Sequence, residues 1–130
     1  MKIKFKLKLN GNQLLALWNI CRLIAALECT KPAGIEVLVT FDLMNRLGGR
    51  LLGMYRPDKD RYTVGLSPSE AKAIIDGIFT ATTAAGDPYS DSVAWKVRDE
   101  LERQIDRETS VFKCVVRPGQ YVSKINTDGL

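Results

Sequence analysis

With 130 residues, 45% of them apolar and 26% charged, the chain is long enough to bury roughly 65–70% of its unfolded surface around one core and too apolar to remain disordered. It contains no histidine, which excludes the commonest general base, the Ser-His and Cys-His nucleophile pairs, and most zinc and iron sites. The net charge of +4 is uneven: residues 1–66 carry 11 Lys/Arg against 5 Asp/Glu, for +6, whereas residues 67–130 carry 8 against 10, for −2, so a preference for polyanions would belong to the first half.

Residues 2–9 alternate lysine with Ile3, Phe5, Leu7 and Leu9, the period of a strand with one apolar and one charged face. The same alternation lacks the continuous apolar stretch of a secretory signal, so a cytoplasmic chain starting here is expected. Asn10 follows as a helix cap, with Gln13 three residues on to complete a capping box. The helix it opens runs to about Cys29 and is apolar round most of its circumference, which suits the middle of a fold or an oligomer interface. Its apolar run is broken by Asn19, Arg22 and Glu28 and falls short of the ~20 residues that span a bilayer, so no membrane span is expected. Cys21 and Cys29 on one helix would stand ~12 Å apart, too far for a disulfide, and with Cys114 they read as reduced thiols.

After the break at Thr30-Lys31-Pro32-Ala33-Gly34, residues 35–55 carry two patterns. Ile35, Val37, Val39, Phe41 and Leu43 alternate like a strand, but Leu38 interrupts the polar face, and Asp42 to Leu47 before Gly48 resembles the end of a helix. We expect a helix from about 34 to 47, with an extension past Gly48-Gly49 to Met54 as an option; the alternative is a hairpin turning at the two glycines. A charged turn follows at Arg56 to Arg61.

The opening pattern then recurs. Tyr62 to Leu66 is a second strand, and Ser67-Pro68-Ser69-Glu70 supplies cap, N1 proline and N3 glutamate for a helix reaching Gly86. The two caps, Asn10 and Ser67, lie 57 residues apart. A last helix is expected from Ser90 or Asp91 to about Glu108, with Val93, Val97, Leu101 and Ile105 as its apolar stripe and opposite charges paired at i,i+4. Residues 111–116 suit a further strand, Pro118-Gly119 a turn and 121–125 another strand, with 126–130 frayed.

The fold class implied is helix-dominated α+β in one domain over 1–130: two β-α-α halves, 1–57 and 58–110, related by a pseudo-twofold, a small antiparallel sheet with helices on one face, and 111–130 as C-terminal strand or tail. Two strands alone are marginal, so the sheet needs the C-terminal strand or a symmetry-related copy, and a homodimer is expected.

No catalytic motif stands out. Gly48 to Gly53 superficially suggests a phosphate loop but lacks the Gly-Lys-Ser/Thr ending, and both strand-cap-helix turns have their cap side chain placed to fill the helix N-terminus. No cofactor or metal is expected, and an enzyme here would have to work through carboxylates such as Asp42 or Glu36. Binding needs only exposed anchors. The candidates are the lysine ladder Lys4, Lys6 and Lys8, and a cluster of Arg46, Arg50, Tyr55, Arg56, Arg61 and Tyr62 around the turn between the halves. The leading reading is a non-enzymatic protein-binding or adaptor protein working through a homodimer or partner interface, and the competing one a small nucleic-acid-binding regulator using the basic half.

Overall fold

Two five-residue strands, β1 (Phe5–Leu9) and β2 (Tyr62–Leu66), pair antiparallel in the register Phe5 with Leu66, Leu7 with Val64 and Leu9 with Tyr62. The structure, a computed structural model, describes residues 3–85 and 87–116, with side chains over 3–82 and 87–110. Four helices complete the chain order β1, α1 (Gly11–Glu28), α2 (Ile35–Met54), β2, α3 (Pro68–Ala85) and α4 (Pro88–Val116) among the described residues. Among the described residues the fold is helix-dominated α+β with one small antiparallel sheet.

Period-two patterning places the sheet. Phe5, Leu7, Val64 and Leu66 are buried on the helix side, and Lys6, Lys8 and Thr63 are exposed on the other. Helix α1 packs against the other three helices and β1, so its broad apolar surface occupies the middle of the fold. Leu14, Leu17, Ile20, Cys21 and Ile24 are all buried along it.

The capping boxes form as expected. The Gln13 amide N–H donates to Asn10 Oδ1 at 2.8 Å and the Asn10 N–H to Gln13 Oε1 at 2.9 Å. At α3 the Glu70 N–H donates to Ser67 Oγ at 3.2 Å and the Ser67 N–H to Glu70 Oε1 at 2.9 Å.

Residues 35–54 are one helix, and the hairpin alternative does not form. Gly48 does not end it; the residue is buried against Trp18 of α1, whose Cδ1 would stand 3.7 Å from a Cβ there, an ordinary contact. The period-3.6 set Met44, Leu47, Gly48 and Leu51 supplies the buried face, which decides against the alternating pattern of residues 35–43.

Two expectations for the C-terminal part need correction. Helix α4 starts at Pro88 and not near Ser90, because Asp87 receives the Tyr89 N–H on its carboxylate at 3.2 Å and the Asp91 N–H on its carbonyl at 2.9 Å, making Asp87-Pro88 a helix start. Residues 111–116 continue α4 and are not a strand. A strand needs a free edge, and side chains hold the two outer edges: Gln104 on Lys6 of β1 and Arg50 on Gly65 of β2. Propagating an existing helix gains one hydrogen bond per residue without a new nucleus. The turn and strand expected over 118–125 lie outside the described residues.

Candidate functional site

The lysine ladder survives as a surface. Lys4, Lys6 and Lys8 are exposed, and the latter two stand on the open face of β1 because period-two alternation sends their neighbours Phe5 and Leu7 inward. Between β1 and α4 runs a cleft of about 890 Å³. Its walls carry Lys4, Lys6 and Lys8 from the strand side and Lys96, Arg103 and Arg107 from the helix, but also Asp99, Glu100 and Glu108. Arg103 is engaged by Glu100, whose carboxyl is held below its ordinary value by hydrogen bonds from Arg103 and then Gln104. The cleft is therefore of mixed sign.

The cluster expected around the turn is largely consumed by structure. Tyr62 lies in the core at 3% exposure, its hydroxyl accepting the Arg56 N–H at 2.9 Å and facing the carbonyls of Arg56 and Lys59 at 2.9 and 3.0 Å. The Arg56 guanidinium donates to the carbonyls of Gly53 and Tyr55, closing the last turn of α2. Tyr55 is half-buried beside Gly11, where a Cβ would stand 3.6 Å from its ring. Arg50 spans α2, β2 and α3, donating to the Gly65 carbonyl at 2.6 Å and pairing with the nearly buried Glu70 carboxylate at 3.3 Å. Arg46 and Arg61 are exposed, Arg46 paired with Asp42 one turn earlier. The structure brings Tyr55, Arg56 and Tyr62 together as a knot that fixes the turn between α2 and β2, with the Tyr62 ring on the buried face of the sheet and Lys6 and Lys8 on the exposed one.

Nucleophilic chemistry finds little support. The Cys21 thiol is pushed up to about 12, first by burial and then by the Glu70 carboxylate, with Arg50 acting the other way. A thiol so placed is inert. Cys29 is free and exposed at the end of α1. Among the described residues no group of three His, Cys, Asp or Glu side chains is arranged to hold a metal ion, and no helix is long and apolar enough to cross a membrane.

The feature that sequence reasoning missed is on α2. Residues 35–43 span more than two turns and include Ile35, Val37, Leu38, Val39, Phe41 and Leu43, yet none of the nine is buried. Ile35, Leu38 and Val39 are 73%, 63% and 49% exposed, and Leu52 near the other end is 51% exposed. The signal available was Leu38, the apolar residue that spoiled the polar face of the alternating pattern: a helix apolar on more than its core side has surplus apolar surface. Behind this stretch a second cleft of about 500 Å³ opens between α2 and α3, floored by Ile24, Leu43, Ala73 and Gly77.

Comparison finds no match. Neither the protein-family models, nor the curated proteins, nor the solved structures contain a significant relative of this chain.

Proposed function

We propose that this chain is a non-enzymatic cytoplasmic interaction protein, an adaptor whose working surface is the outer face of α2. The observation that carries the reading is the unburied apolar stretch 35–43, with Ile35, Leu38 and Val39 all about half or more exposed. Apolar surface left in water forgoes about 25 cal/mol per Å², and contiguous exposed patches of this kind mark protein interaction sites. Burial raises the Cys21 thiol, Asp42 is paired with Arg46, and Arg50, Arg56 and Tyr62 serve the scaffold, all of which supports a binding reading over a chemical one.

The test is a photo-crosslinking residue placed at Leu38 in native cells, with one at Asp60 in the charged turn as control. Adducts to protein from position 38 and not from position 60 support the reading. Equal yields from both positions, or none from either, overturn it.

The cleft beside β1 favours a second reading, a nucleic-acid-binding regulator, since six basic side chains border it. Its three acidic neighbours make this the weaker of the two. Oligonucleotide affinity that falls steeply with salt, and falls further when Lys4, Lys6 and Lys8 are neutralised together, would establish it; no binding at low salt would end it.

A further inference from the structure

We infer that the occupant of the α2 face is a second copy of this chain, paired antiparallel, α2 against α2, about a twofold axis near residue 44. The inference rests on the interaction reading above and names its partner. Read from one end to the other, the outer face of α2 presents the exposed apolar side chains Ile35 and Val39, then the pair Asp42 and Arg46, then Gly49 and Gly53. Nothing lies within 4 Å of where a Cβ would stand on either glycine, so both are open dents in the surface.

These features are arranged symmetrically. Ile35 and Gly53, Val39 and Gly49, and Asp42 and Arg46 are each equally spaced on either side of Met44, and at 3.6 residues per turn all six fall on the side opposite the buried Met44, Leu47 and Leu51. An antiparallel copy therefore seats each projecting apolar side chain over a glycine of the other helix, twice, and sets each carboxylate beside a guanidinium, twice. This is the self-complementarity an isologous contact requires. Leu38, about 60° from the centre of that face, lies at its edge, on the same side as Leu52 of the other copy and two residues out of register with it. Parallel pairing would instead place Asp42 against Asp42 and Arg46 against Arg46.

Sedimentation equilibrium tests this with the full chain. The wild type is expected to be a reversible dimer at tens of micromolar. Gly49→Leu, which has open room in a single copy, is expected to sediment as a monomer with an unchanged or higher melting temperature. Asp42→Arg and Arg46→Asp each create like-charge contacts in their own homodimer and are expected to weaken it roughly tenfold or more, whereas an equimolar mixture of the two restores every charge pair and forms a heterodimer. A wild type that stays monomeric at hundreds of micromolar overturns the inference, as does a dimer indifferent to Gly49→Leu, or a mixture of the charge variants that fails to pair. A monomer whose position 38 crosslinks to a different protein overturns self-pairing while sustaining the interaction reading; a monomer with no such adducts defeats both.

Discussion

Gln104 of α4 holds both outward-facing backbone groups of Lys6 in β1, its Nε2 donating to the Lys6 carbonyl at 2.7 Å and its Oε1 accepting the Lys6 N–H at 3.0 Å. One side-chain amide thus takes the place of a neighbouring strand residue. It explains how a two-stranded sheet persists with no third strand beside β1 among the described residues, and why residues 111–116 are free to extend a helix.

Gln104→Leu removes both bonds while keeping the side-chain bulk, and is expected to cost about 1–2 kcal/mol in urea unfolding. Hydrogen exchange gives the specific readout: the Lys6 amide should lose protection far more than the Leu7 amide, which faces β2. Unchanged protection at Lys6 would contradict the edge role.

Gly77 of α3 lies directly against Ile24 of α1. A Cβ there would stand 2.8 Å from Ile24 Cγ1 and Cγ2, atoms fixed by the branch point and unable to swing away. Gly77→Ala is expected to destabilise by about 1–2 kcal/mol, because overpacking outweighs the ~1 kcal/mol of helix propensity that alanine brings. Combining it with Ile24→Ala should show a favourable coupling in a double-mutant cycle, and strict additivity would refute the clash.

Glu100 connects acidity to the same edge. Its carboxyl lies below the ordinary 4.5 because Arg103 and Gln104 donate to it, so its contribution is present above that value and is lost as pH falls through the lower folded value. Glu100→Gln should therefore lower the melting temperature at pH 7, and the gap from wild type should close as acid protonates the native carboxyl. A gap that persists unchanged under acid conditions would show that the charge is not what matters.

The two halves share the element order strand, helix, helix, and Leu7 pairs with Val64, residues 57 apart as Asn10 and Ser67 are. A twofold relating the halves would pass through that pair. An experimental structure should superpose residues 3–29 on 60–86 by close to a half-turn, and any other rotation would dismiss the duplication as mere likeness of pattern.

The elements with short-range causes were legible in the chain itself. Asn10 with Gln13 and Ser67 with Glu70 fix two helix starts through bonds spanning three residues, and the alternation of Lys4 to Leu9 fixes a strand and its buried face. What those signals lack is knowledge of neighbours. Gly48 reads as a helix stop until Trp18 of α1 lies across it, and Tyr62 and Arg56 read as surface anchors until the turn folds the hydroxyl onto the backbone. Residues 111–116 read as a strand until Gln104 and Arg50 occupy the edges they would join. The candidate surface on α2 is the clearest case. Composition alone showed Ile35, Leu38 and Val39 to be apolar, but whether an apolar face is core or interface depends on what packs against it, and only the tertiary arrangement, with α1 beneath α2 and none of residues 35–43 buried, decided that.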